Sequence, residues 1–176
     1  MTAPTIRRTL LDTPIGMLVL EADDEALVHI ELPGADSASR RNGAHLAPDT
    51  PNGARKDTGA RSGPLADAVA QLGEYFSGRR HRFELPLKLS GTDFQRQVWG
   101  SLAEIPYGTT ISYAELAAMV GRPTAFRAVG QANGANPLPI VLPCHRVVAS
   151  GGRIGGYGGG LDMKRRLLAL EGLAGM

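Results

Sequence analysis

Cysteine is almost missing from this 176-residue chain: Cys144 stands alone. One thiol cannot close an intrachain disulfide, and a cysteine-rich zinc site is excluded. Long apolar runs are missing too. The longest, residues 15–20, has six residues and contains a glycine, far short of the roughly 20 that a membrane-spanning helix needs. Arg7-Arg8 near the start is followed by Asp12 and Pro14, a poor fit to a secretory signal, so no membrane partner and a cytoplasmic location are expected. Charge of one sign is also scarce, with a net of +2. That value identifies no partner by itself. What is present is ordinary: 43% hydrophobic and 20% charged residues describe a globular chain of one domain or two small ones and exclude a wholly disordered one.

The charge is unevenly spread. Residues 89–176 hold 8 basic against 5 acidic side chains, a net of +3, whereas residues 1–88 net −1. The second half is therefore the better candidate for meeting an anion. In the first half, residues 17–20 and 27–30 read as strands around a polar connection, Asp23-Asp24-Glu25. Residues 33–64 have almost no large apolar side chains and many Gly and Pro. They are expected to form a flexible loop, because they bury too little to offset their ordering entropy. Leu65, Val69, Leu72 and Phe76 then share one helix face, and residues 82–87 alternate like an edge strand. The second half is mostly helical. Thr92 or Asp93 can cap a helix carrying Phe94, Val98, Leu102 and Ile105, and Ser112 with Glu115 forms a capping-box pattern. A further short helix follows Pro123-Thr124 and contains Arg127 and Gln131. Two short helices around Gly121-Arg122-Pro123 make a helix-turn-helix candidate, although any helical hairpin has this pattern. A last helix spans about 161–171, with Leu167, Leu168 and Leu170 inward and Lys164, Arg165 and Arg166 among its polar positions.

Cys144 is the obvious chemical centre. A free thiol titrates near 8.5, so only a few per cent is thiolate near neutrality. A reacting cysteine needs a neighbour that takes its proton. His145 is adjacent, but adjacent side chains point apart unless a turn or a water joins them. A distant carboxylate can complete a Cys–His–acid relay, and Glu171 is a candidate because it lies beside core-facing leucines. Two readings stand on these residues: a nucleophile, or a buried structural cysteine. The glycine-rich run 155–160 lacks the Lys-Ser/Thr of a phosphate-binding loop, though it permits close backbone approach to a planar ligand.

Pro143-Cys144-His145-Arg146-Val147 resembles the signature of the O6-alkylguanine-DNA alkyltransferases, also called methylated-DNA–protein-cysteine methyltransferases. Phe94-Gln95-Arg96-Gln97-Val98-Trp99, Ile105-Pro106-Tyr107-Gly108, Ser112-Tyr113, Arg127-Ala128-Val129-Gly130, Asn136-Pro137 and Gly156-Tyr157-Gly158-Gly159-Gly160 occur in the family's order and spacing. The resemblance is strong over residues 90–172 and loose before them. It implies an α+β fold: an N-terminal ribonuclease H-like domain (1–88) with a small sheet and a helix, then a C-terminal helical domain (89–176) with a winged helix-turn-helix.

The implied function is direct-reversal DNA repair. An alkyl group on guanine O6 in duplex DNA, with O4-alkylthymine as a second candidate lesion, passes once to Cys144 and inactivates the protein. By the same resemblance, His145 takes the thiol proton through water, Glu171 orients His145, Tyr113 donates to a ring nitrogen, and Asn136 braces the active-site turn. Backbone carbonyls near Cys144 and Val147 read the guanine amine. Pro139, Val147, Tyr157, Gly158 and Lys164 form the pocket, with Lys164 supporting its rim. Gly158 stands where some members carry serine and leaves room for bulkier alkyl groups. Arg127 enters the base stack and holds the place of the extruded nucleotide, with Ala128 and Gln131 also on the DNA-facing helix. Phe126 departs from the family's small residue and can act as a second wedge or turn into the protein. A monomer without cofactor or metal is expected. His29, His45 and His81 lack cysteine partners. A cysteine hydrolase with the same Cys–His–acid parts is the alternative from another class.

Overall fold

The computed structural model describes residues 4–34 and 62–176. Most of the expected 33–64 loop, and His45 with it, lies outside the described residues. Three antiparallel strands open the chain: β1 (Arg7–Thr13), β2 (Gly16–Ala22) and β3 (Leu27–Glu31), in the order β1-β2-β3. The β2–β3 hairpin is the one expected from the sequence. Its turn is closed by Asp23, whose Oδ1 accepts from the backbone N–H groups of Glu25 and Ala26 at 2.9 and 2.8 Å. Leu18, Leu20 and Ala22 from β2, and Leu27 and Ile30 from β3, face inward. Helix α1 (Pro64–Phe76) covers them with Leu65, Ala68, Leu72 and Tyr75, at i, i+3, i+7 and i+10.

The expected strand at 82–87 forms only partly. The alternation is real, with Phe83, Leu85 and Leu87 packed on the core, but a single bridge, Leu27 to Leu87, joins this extended segment to β3. Pro86 removes one ladder donor there and serves instead as an acceptor, taking the Leu27 N–H at 2.9 Å.

Helix α2 (Asp93–Leu102) begins with the Thr92 cap: Thr92 Oγ1 accepts from Gln95 N at 3.1 Å, and Gln95 Oε1 accepts from Thr92 N at 2.9 Å. Strand β4 (Ile111–Ser112) leads into α3 (Tyr113–Met119), which carries the second capping box, between Ser112 and Glu115. Each such cap contributes about 1 kcal/mol. The α3 helix ends in a left-handed Gly121 (φ 71°), with Gly121 N donating to Ala118 O and Arg122 N to Ala117 O. That pair of bonds turns the chain sharply into α4 (Phe126–Gly134). The expected helix-turn-helix is therefore α3–turn–α4. A short strand β5 (Val147–Val148) pairs in parallel with β4, and α5 (Leu161–Leu170) closes the chain. The halves are joined by Ile30 N donating to Pro137 O at 2.9 Å and by Tyr75, which reaches across to Glu171.

Candidate active site

Cys144 opens a one-turn 3-10 helix, Cys144–Arg146, and is 5% exposed. Two features fix the approach to it. Asn136 clips the preceding loop at both ends, with Nδ2 donating to Leu142 O at 2.7 Å and Oδ1 accepting from Leu138 N at 2.9 Å. Between these ends Ile140 sits at φ 76°, a costly conformation for a β-branched residue that persists only where its surroundings over-determine it. Asn136 thus spans the loop that precedes the thiol.

Behind the thiol lies a buried charge cluster centred on Glu171, the residue that ends α5. Its Oε1 accepts from Tyr75 Oη and His145 Nε2, both at 2.7 Å, and from Arg146 Nη2 at 2.9 Å. Its Oε2 accepts from Arg146 Nε at 2.9 Å and from Gly108 N at 3.2 Å. Burial pushes the Glu171 carboxyl up, but the hydrogen bonds from His145 and Arg146 overcome it and hold the group at about 2. An ionised carboxylate only accepts, so His145 carries its proton on Nε2. Its Nδ1 keeps a lone pair, is buried and has no protein partner. Burial also lowers the His145 pKa, despite the pull of Glu171, so the imidazole is neutral at rest. The Cys144 thiol is pushed up by burial, against the Asn136 side chain and the Lys164 charge. A neutral thiol beside a neutral imidazole with one free nitrogen is a general-base arrangement rather than a preformed ion pair.

Three members of this cluster were not assigned roles from the sequence. Arg146 lies within the recognised motif, yet nothing there marks its guanidinium as the fork that grips Glu171 while Nη1 donates to Ile105 O at 2.6 Å. Tyr75 is not among the positions that the sequence singles out on α1. Tyr107, whose ring carries the Arg146 guanidinium at 5.7 Å, shows only as part of the Ile105-Pro106-Tyr107-Gly108 motif.

Lys164 corrects the sequence reading. It is not on a polar helix face but fully buried, with Nζ donating to Val147 O at 2.6 Å and Gly156 O at 3.1 Å. Burial lowers its pKa to about 8. No carboxylate pairs with it in these bonds, and its charge acts on Cys144. The Val147 carbonyl therefore already accepts one hydrogen bond and keeps its second lone pair. The Cys144 carbonyl receives Val147 N and, at 3.5 Å, Asn133 Nδ2. Pro139 is buried in the loop before the thiol, Tyr157 has a buried hydroxyl whose interaction with Cys144 raises its pKa beyond the effect of burial, and Gly158 is exposed. Tyr113 is half-buried at the start of α3, and its ring lies near Gly130 and Gly155.

On α4, Val129, Ala132 and Asn133 face inward, and Trp99 Nε1 donates to Ala132 O at 2.7 Å. The outer face presents Arg127, Ala128 and Gln131 to solvent, and Phe126 is 51% exposed. Phe126 thus does not turn into the protein. Among the described residues no helix is long and apolar enough to cross a membrane, and no cluster of three or more metal-ligating side chains occurs.

A buried free thiol, followed in the chain by an imidazole with an unpartnered nitrogen and preceded by a helix-turn-helix, fits the class of proteins that react covalently with DNA. Two family models divide the chain: the ribonuclease-like domain of 6-O-methylguanine DNA methyltransferase matches residues 6–89, and the DNA binding domain of the same family matches residues 93–173. The methylated-DNA–protein-cysteine methyltransferase of Mycolicibacterium paratuberculosis is 45% identical over 161 residues, 92% of this chain and 89% of that one. The constitutive enzyme of Bacillus subtilis is 41% identical over 168 residues, 93% of each chain. The crystal structure of Mycobacterium tuberculosis OGT in complex with DNA superposes with a TM-score of 0.78 at 41% identity, covering 96% of this chain and 94% of that one. The chain belongs to the methylated-DNA–protein-cysteine methyltransferase family.

Proposed function

We propose that the protein repairs O6-alkylguanine in duplex DNA by moving the alkyl group to Cys144, once per molecule. The observation that carries this reading is the free Nδ1 of His145, held in that tautomer by Glu171, on the residue next to a neutral thiol. The thiol proton passes to Nδ1 through a water. The sulfur forms a bond to the alkyl carbon as the bond from that carbon to O6 breaks. The electron pair moves into the guanine ring, where a proton from Tyr113 neutralises it, and the proton held on His145 returns through solvent to the tyrosinate. Lys164 favours the sulfur anion as it develops. Displacement at carbon by a thiolate needs no cofactor, and the thioether product has no second thiol to resolve it, so the protein is spent.

Arg127 on the exposed face of α4 occupies the place of the extruded nucleotide, and Phe126 beside it enters the groove as a second apolar contact. Ala128 and Gln131 lie against the backbone of the duplex. Pro139, Val147, Tyr157 and Gly158 receive the extruded base, and the exposed Gly158 leaves room for alkyl groups larger than methyl. Residues 89–176 carry both DNA contact and chemistry, while residues 1–88 supply Tyr75 to the relay. The work is done in the cytoplasm, by a monomer acting on chromosomal DNA.

The test is a titration. A fixed amount of protein is mixed with increasing duplex bearing O6-methylguanine, and repaired base is counted. One base per molecule, and none for Cys144→Ser, is the expected result. Repeated turnover would replace this reading with that of a cysteine hydrolase.

A further inference from the structure

One buried polar side chain in the site has no assigned task. Asn133 on α4 is 5% exposed, and its Oδ1 accepts no hydrogen bond. Its Nδ2 reaches only the Cys144 carbonyl, at 3.5 Å, the outer limit of such a bond. Buried amides rarely go so poorly satisfied, and an apolar residue like the neighbouring Val129 or Ala132 would pack there without the desolvation cost. The neighbour that gives Asn133 a purpose is Tyr113. A Cβ on Gly130, one turn before Asn133 on the same helix face, would meet Tyr113 Cδ1 and Cε1 at 3.7 and 3.8 Å. A Cβ on Gly155 would meet Tyr113 Cε2 at 3.5 Å. Held between two glycine backbones, the ring can direct its hydroxyl only a short way from Asn133. Burial, and then the neighbouring Cys144, push the Tyr113 phenol up, and the nearby Asn133 side chain pulls it back.

We propose that Asn133 is a positioning residue for alkyl transfer: its amide spans the Cys144 carbonyl and the Tyr113 hydroxyl, and stabilises the charge that this oxygen acquires on giving its proton to the departing guanine. The inference rests on Tyr113 being the proton donor. It also links base recognition to catalysis. A guanine amine that takes the Cys144 carbonyl displaces the long Asn133 contact and frees Nδ2 for Tyr113, so the donor is strengthened only when a base is seated.

A double-mutant cycle tests this on the intact protein. Asn133→Leu, Tyr113→Phe and the double variant are compared with the parent, measuring the single-turnover rate constant and the duplex Kd separately. Asn133→Leu is expected to lower the rate constant about tenfold with Kd unchanged, and to cause no further loss in the Tyr113→Phe background. An equal loss in both backgrounds, or a loss carried by Kd, overturns the inference and leaves the donor role of Tyr113 standing. Tyr113→Phe reacting as fast as the parent overturns the donor role and this inference with it. Asn133→Ala runs the same cycle if thermal melting shows that the leucine variant does not fold.

Discussion

Replacing Glu171 by glutamine acts on a carboxylate that is buried and accepts on both oxygens. Five donors converge on this carboxylate, from Tyr75, His145, Gly108 and twice from Arg146. Its pKa of about 2, against an ordinary 4.5, corresponds to about 3 kcal/mol of stability. Because the folded value lies below the unfolded one, this contribution is complete above about pH 5 and disappears as the pH falls toward about 2. Glutamine removes the charge and leaves Arg146 buried without a counter-ion, a change that costs about 3–5 kcal/mol when one partner of a buried pair is deleted. The glutamine amide nitrogen is better placed at the Oε1 position, where Tyr75 and His145 can switch to accepting, than at Oε2 against the fixed donors Arg146 Nε and Gly108 N, and there it points a donor at His145 Nε2. That nitrogen must then accept, and the ring proton moves to Nδ1, the atom needed free. Chemical denaturation at neutral pH should show a loss of about 3 kcal/mol or more for Glu171→Gln, and its stability should be nearly flat across the acid window where the parent loses its own. Single-turnover transfer from a methylated duplex should fall at least about 100-fold with little change in DNA affinity. A variant that reacts within about twofold of the parent and unfolds at the same denaturant concentration would refute the relay.

Three further outcomes are expected. Arg127→Ala should slow reaction with the duplex far more than reaction with free O6-alkylguanine, because only the duplex demands extrusion; equal losses on the two substrates would remove its finger role. Phe126→Ala should weaken duplex affinity in a gel-shift titration, while its melting temperature stays near the parent's since the ring is exposed; unchanged affinity would make the ring a bystander. Lys164→Met removes a cation that acts on Cys144 and leaves the Val147 and Gly156 carbonyls each short of a donor. The pH profile of Cys144 alkylation by a small electrophile should move to higher pH, and an unmoved profile would deny the electrostatic role.

Local signals in the sequence carried far, and long-range ones did not. Thr92 with Gln95 and Ser112 with Glu115 announce two helices because capping acts within four residues. The β2–β3 hairpin is legible for the same reason. Strand β1, RRTLLDT, is not legible in the sequence because Thr9 and Thr13 stand on its inner face and Leu10 on its outer one, which erases the apolar alternation, and only its pairing with β2 defines it. Cys144, His145 and Glu171 could be named as a candidate relay. The roles of Tyr75 and Arg146 could not, since Tyr75 meets Glu171 across 96 residues of chain. Lys164 was misplaced because a lysine in a helix reads as solvated until two backbone carbonyls are seen to receive it.

The most direct test of the account follows an isotopically labelled methyl group from O6-methylguanine in a duplex into the protein, with the label then located by peptide mass mapping. All of it should reside on Cys144, in amount equal to the guanine restored. Restoration of guanine with the label in solvent, or on any other residue, would contradict the account at its root.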